Sequence, residues 1–266
     1  MPQDQLDLHA YLGRIGLAAT GAPSLTLLRS VIARHTGSIP FENLDIVLGR
    51  PIRLDIGSVQ AKLVGAGRGG YCFEQNTLFK AILDRIGFHS HIFTARVRFL
   101  GTRIGPRSHM LLKVETKSGA FLADVGFGAV GLLRPIPFMP DIVTHVPGAA
   151  FRLRHEQAVW VLEGDVGDDV FSDYYAFTLE PQYPVDIEVA NHYTSTHPNS
   201  IFRRTVTAQL TKPHQRTTLR NQRLEILRGD DRHEVTLPDE AAIFASLRNE
   251  FGLDLPRDMR LALAAD

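Results

Sequence analysis

Over the first 90 positions, apolar residues recur every three or four places. Leu8, Tyr11, Leu12 and Ile15 form one such stripe, with Asp4 as the candidate N-cap. Leu25, Leu28 and Ile32 form a second, over a helix from Ser24 to about His35 with Ser24 as its cap after Pro23. A non-helical stretch follows from Ile39 to Leu44, then a short helix over Ser58–Val64. Phe79, Ile82, Leu83 and Ile86 predict a helix from Cys72 to Ile86, which Gly87 would end. Beyond Gly87 the period drops to two: His91, Phe93, Ala95, Val97 and Phe99 alternate with Ile92, Thr94, Arg96 and Arg98. His109–Glu115 and Ala120–Val125 read as further strands, joined by hairpin loops at Gly101–Arg107 and Thr116–Gly119. Later strands are expected at Thr205–Leu210, Arg216–Leu219 and Leu224–Arg228. A last helix runs from Pro238 to Glu250, with Ala242, Ile243, Leu247 and Phe251 inward. The fold class is therefore α+β: helical over 1–90, antiparallel β over 91–200 and mixed over 201–266.

Composition narrows this picture. A chain of 266 residues, 44% apolar and 22% charged, can bury a large core. Lys plus Arg number 29, as do Asp plus Glu, so the charge balance draws the chain neither to nucleic acid nor to anionic membranes. No apolar run approaches the ~20 residues of a membrane helix, and the first residues do not read as a secretory signal. The single cysteine leaves no intramolecular disulfide and no multi-cysteine metal site. A reducing cytoplasm is the expected compartment, and neither a metal nor a bound prosthetic group is expected.

That cysteine sits in the most informative stretch, Arg68-Gly-Gly-Tyr-Cys72-Phe-Glu74. A thiol attacks as thiolate, and the first turn of a helix favours an anion. The two glycines permit a tight turn and close approach to the backbone. A lone cysteine is also commonly a small buried hydrophobe, so a partner must decide. His109 and Asp124 are the candidates: a base to take the thiol proton, and a carboxylate to hold the base. A hairpin turn centred on Thr116 and Lys117 would set His109 directly opposite Asp124; one centred on Ser118 and Gly119 would separate them by four positions. Either register puts both on one face. Asp124 lies in the apolar run Phe121–Val125, where a carboxylate is costly unless paired. Glu42 and Arg68 form a second candidate pair, one that would fix the turn carrying Cys72. Gly65, Gly67 and Gly70 match a dinucleotide-binding spacing with Asp84 downstream. The required preceding strand is missing, however, and Asp84 falls inside a helix.

These residues, with Pro40-Phe-Glu-Asn43 upstream, Asp124-Val-Gly-Phe-Gly128 and Asn191-His-Tyr-Thr-Ser-Thr-His-Pro198, closely resemble the arylamine N-acetyltransferases over nearly the whole chain. The resemblance implies an N-terminal helical bundle, a central antiparallel β-barrel and a C-terminal α/β lid, with a papain- or transglutaminase-like core. It implies Cys72, His109 and Asp124 as the catalytic residues, and Phe127 and Phe41 in the acceptor pocket. It also implies acetyl-CoA as co-substrate, a small aromatic amine or hydrazine as acceptor, and ping-pong transfer. A thiol hydrolase or transglutaminase-like amidase using the same three residues is the enzymatic alternative. A non-catalytic binding protein of this fold is the other. Neither the oligomeric state nor the physiological acceptor is legible.

Overall fold

The structure is a computed structural model that describes residues 6–99, 104–128, 131–167, 169–212, 214–229 and 231–255. The N-terminal part holds α1 (Leu8–Arg14), α2 (Leu25–Ser38), β1 (Phe41–Glu42), α3 (Leu44–Val47), α4 (Ile56–Gln60) and α5 (Cys72–Ile86). The predicted stripes are the buried ones, with Tyr11, Leu12, Ile15, Leu28, Ile32, Phe79, Ile82 and Leu83 all inside. Asp4 lies outside the described residues; the cap of α1 is Asp7, whose carboxylate accepts from the Ala10 N–H at 2.9 Å. Ser24 caps α2 as expected. The short helix starts earlier than predicted, under Asp55, and runs on as a wide turn over Ala61–Gly65. Helix α5 has the predicted bounds, and Gly87 at φ 102° closes it in a conformation that favours glycine.

Eight strands then form one antiparallel sheet: β2 (His89–Val97), β3 (Arg107–Thr116), β4 (Gly119–Ala123), β5 (Ile136–Pro137), β6 (Thr144–Val146), β7 (Ala149–Glu156), β8 (Val159–Asp165) and β9 (Ser172–Phe177). Their spatial order is β5-β4-β3-β2-β9-β8-β7-β6. Pro140, just past β5, bridges Leu153 of β7, so the sheet curls into a nearly closed barrel. Residues 100–103, which carry the start of the expected 101–107 loop, lie outside the described residues.

The faces of β3 divide two cores. Met110, Leu112 and Val114 pack against the helices, whereas Leu111 joins Phe93, Phe151, Tyr174 and Tyr175 inside the barrel. The β3–β4 register matches neither expected alternative. Lys117 and Ser118 form the turn, so Thr116 pairs with Gly119 and Leu112 with Ala123. Extended one step, this ladder sets Asp124 beside Leu111, diagonal to His109 rather than opposite it. Diagonal neighbours on one face remain within reach of long side chains.

Two features depart from the sequence pattern. A helix, α6 (Pro184–Thr196), lies in the region read as β. Only Ile187, Asn191 and Thr194 of it are buried, and two of those are polar, so no apolar stripe announces it. The second sheet, β1-β10-β11-β12-β13, recruits β1 from the helical region. Its strands are β10 (Thr207–Lys212), β11 (Gln215–Arg220), β12 (Arg223–Arg228) and β13 (Asp231–Thr236), the last not foreseen. Helix α7 (Glu240–Phe251), capped by Asp239, covers this sheet with Ile243, Leu247 and Phe251. No helix among the described residues is long and apolar enough to cross a membrane.

Candidate active site

Cys72 is the first residue of α5 and is 3% exposed. The turn before it is held by close backbone approach. A Cβ on Gly69 would strike the carbonyl oxygen of Pro40, and one on Gly70 would meet the Glu74 side chain. What approaches this backbone is therefore the Pro40 strand, through a bridge between Phe41 and Gly70. Gln75 Nε2 donates to both Pro40 O (2.8 Å) and Gly70 O (3.2 Å), locking the turn to the helix it begins. Glu74 Oε2 accepts from the Tyr71 N–H at 3.2 Å.

A buried ion network lies under the same turn. Arg68 reaches Glu42 Oε1 through Nε (3.0 Å) and Nη2 (2.7 Å), which brings the predicted pair together. The network extends further than the sequence suggested: Lys62 lies 2.7 Å from both Asp45 and Glu74, and Arg68 is 3.3 Å from Asp45. Burial would raise the Asp45 pKa, but the Lys62 and Arg68 charges hold it below the ordinary value. Glu74 is deeper, and there burial prevails over the Lys62 ammonium and pushes the carboxyl up to about 7.

On the other side of Cys72, His109 Nε2 is 2.6 Å from Asp124 Oδ2. Both side chains are almost wholly buried. Tyr175 Oη donates to the same carboxylate oxygen at 3.0 Å, and Asp124 Oδ1 accepts from Asn76 Nδ2 (3.0 Å) and the Gly126 N–H (2.9 Å). Burial alone would raise the Asp124 pKa; the His109 charge and these hydrogen bonds hold it down. Engaging Nε2 leaves Nδ1 as the ring nitrogen free to take a proton.

Cys72 Sγ lies 3.6 Å from Ser108 O. Burial pushes the thiol up, and the Asp124 carboxylate adds to this; the Met110 and Phe73 amides oppose them but do not prevail. The position at the helix start therefore lowers the cost of a thiolate without making it the resting form of an isolated thiol. A thiolate forms in such surroundings only when a neighbouring neutral base takes its proton and stays beside it as a cation.

Cys72, His109, Gly126 and Phe127 share one cavity of about 230 Å³ with Phe41 and Phe202. The Phe127 ring meets His109 edge-on at 5.1 Å between centroids, and Phe202 meets Phe41 and Tyr71 at 6.0 and 5.5 Å. Gly126 is obligatory here: a Cβ would lie 2.8 Å from Cys72 Cα and 2.7 Å from Asn76 Nδ2. The structure thus brings together every candidate chosen from the sequence, in two groups around Cys72. It adds Asn76, Tyr175 and Phe202. The signal for Asn76 was present, since it stands one turn after Cys72 on the same helical face. Tyr175 and Phe202 come from distant segments and had none. Asp84 pairs with Lys80 on the exposed side of α5, which ends the dinucleotide reading.

A buried cysteine at a helix start thus shares a cavity with the histidine of a buried histidine–carboxylate pair on a curled antiparallel sheet. The family described as N-acetyltransferase matches residues 24–260. An Escherichia coli arylamine N-acetyltransferase is 36% identical over 251 residues, covering 92% of this chain and 88% of that protein. The crystal structure of the Nocardia farcinica enzyme superposes with a TM-score of 0.88 at 39% identity, covering 96% of this chain and 92% of that one. The Mycobacterium marinum enzyme solved in complex with CoA superposes with a TM-score of 0.87 at 32% identity, over 92% of both chains. The chain belongs to the arylamine N-acetyltransferase family, whose members are acetyl-CoA-dependent acyltransferases.

Proposed function

We propose that this chain carries an acetyl group from acetyl-CoA to the nitrogen of a small aromatic amine or hydrazine, by way of an acetyl thioester on Cys72. The observation that carries the reading is His109, held by Asp124 at 2.6 Å and lining the same aromatic-walled cavity as the buried Cys72 thiol. His109 takes the Cys72 proton on Nδ1, and Asp124 stabilises the resulting imidazolium. The thiolate adds to the thioester carbonyl, with backbone N–H groups at the start of α5 as the proposed oxyanion donors. The carbon–sulfur bond to CoA breaks, and the imidazolium protonates the departing CoA thiolate. Thioester exchange keeps the acyl group reactive. The amine then enters, adds to the acetyl carbonyl and loses a proton to His109. Collapse expels the Cys72 thiolate, and the product leaves before another acetyl-CoA binds.

Phe127, Phe41 and Phe202 are proposed to flank the acceptor ring. Glu42 and Arg68 are proposed to hold the nucleophile's turn. The working division is residues 1–90 for the nucleophile, 91–200 for base and orienter, and 201–266 for a cover, in a cytoplasmic protein. Intact mass after mixing with acetyl-CoA alone tests the reading, with Cys72→Ala as control. A single acetyl adduct that persists in buffer and disappears on adding an aryl amine supports it. An adduct lost to water alone would favour the hydrolase alternative, and no adduct would reject acetyl-CoA as donor.

A further inference from the structure

At the far end of β2 and β3 from His109, two histidines and a carboxylate converge. His89 and His91 are two apart on β2 and so project from one face. Glu115 of β3 is the ladder partner of His89. A nitrogen from each histidine and a Glu115 oxygen all lie within 4.8 Å of one another. The imidazole centroids are 4.8 Å apart, and His91 Nε2 is 3.8 Å from Glu115 Oε1. All three residues are exposed, on backbones fixed by the β2–β3 ladder.

We propose that His89, His91 and Glu115 form a surface binding site for one divalent transition-metal ion. Metal–ligand bonds of about 2.0–2.2 Å require these atoms to draw in by roughly an ångström, which side-chain rotation supplies without moving the strands. Two imidazoles and one carboxylate select Zn²⁺, Ni²⁺ or Cu²⁺ over Mg²⁺ or Ca²⁺, which prefer all-oxygen sets. Water completes the coordination on the solvent side. The lone cysteine of the chain has no part in such a site. Lys113 is its competitor: Nζ lies 3.5 Å from Glu115 Oε1, and Lys113 pairs with His91 in the ladder. The same ammonium lies 5.5 Å from the centre of the Phe138 ring, which gives it another seat when Glu115 turns to a metal. Glu115 is six residues from His109 along β3, on the order of 20 Å, so the site is separate from the acyl-transfer cavity. An ion there ties β2 to β3 only in the folded chain, and so raises its stability.

Calorimetric titration of the chelator-stripped, full-length protein with ZnCl₂ tests the proposal, alongside thermal unfolding with and without zinc. The expected result is one Zn²⁺ per chain at micromolar affinity and a higher Tm with zinc. His91→Ala and Glu115→Gln should each weaken binding by at least about tenfold and remove the Tm gain. Lys113→Met should tighten binding, and Cys72→Ala should leave it unchanged. His91→Ala binding zinc as wild type does, binding that vanishes only in Cys72→Ala, or no wild-type binding at millimolar zinc would each overturn the proposal. Exposed ligand positions make misfolding of the variants easy to detect by their zinc-free Tm.

Discussion

Two clusters of buried charge flank Cys72, and they are built to different ends. Under the Gly69–Gly70 turn, Glu42, Asp45 and Glu74 are matched with Lys62 and Arg68, and each carboxylate meets a cation within 3.3 Å. On the opposite side, Asp124 receives four donors, but the chain of contacts ends at His109, whose second nitrogen is left for the cavity. The first cluster is closed and fixes backbone. The second is open at one atom and can move a proton. Buried charge alone does not mark an active site; a saturated orienter joined to an unsaturated base beside a nucleophile does.

The sharpest test of that difference is the nucleophile itself. Cys72→Ala and Cys72→Ser should each lower turnover by roughly four orders of magnitude or more while changing Tm little. Steady-state acetylation of an aryl amine measures this, and a near-normal rate in Cys72→Ser would sink the nucleophile role. Asp124→Asn should cost about 10³–10⁴ in turnover, because an amide presents the wrong hydrogen-bonding group to His109. It should also lose stability; a folded, fully active variant would erase the distinction between the clusters.

The closed cluster should answer in stability instead. Arg68→Met leaves Glu42 buried without its partner and is expected to cost about 3–5 kcal/mol in denaturant unfolding. The double change Glu42→Gln with Arg68→Met should recover part of that loss, as removing a whole buried pair costs less than breaking it. Equal losses in the single and double variants would show that the pair is not what holds the turn.

The pH response separates Glu74 from Asp124 by sign. Glu74 titrates at about 7 when folded against 4.5 when free, so between those values the folded chain keeps a proton that the unfolded chain has released. Its contribution to stability therefore falls as pH rises from 4.5 to 7. Asp124 is held below its ordinary value, so its contribution is present above the usual aspartate range and is lost as pH falls through and below it. Glu74→Gln should flatten the decline between pH 4.5 and 7 by at most about 3 kcal/mol, read from denaturation midpoints across pH. An unchanged slope would mean that Lys62 fully offsets the burial of Glu74. The smallest expected effect is that of Asn76→Ala, which removes one donor to Asp124. It should cost about 1–3 kcal/mol of stability and lower kcat more than it raises KM.

The helices with a clean apolar stripe were legible, and α5 was legible to the residue, because Gly87 stops it and Cys72 starts it. Helix α6 was not, because its buried face is partly polar and draws its hydrogen bonds from elsewhere: Asn191 Nδ2 donates to Ile52 O, and Tyr71 donates its hydroxyl to Asn191. The β3–β4 register shows the same boundary. That His109 and Asp124 share a face follows from the period of two, and any odd-parity register preserves it. Which register forms depends on the Lys117–Ser118 turn, where Thr116 Oγ1 accepts from the Ser118 N–H and donates to Gly119 O.

Local chemistry along the chain picked out the helix that Cys72 starts, His109, Asp124 and the Glu42–Arg68 pair as candidates, since each choice rests on residue type and short-range period. Tertiary structure decided what lies between them. It brought Phe41 of β1 against Gln209 of β10, 168 positions away. It also placed Phe202 over the cavity, Tyr175 on Asp124, and Lys62 between Asp45 and Glu74. Those contacts join segments whose separation carries no periodic signal. They form only when the barrel, the helices and the second sheet bury their apolar faces against one another.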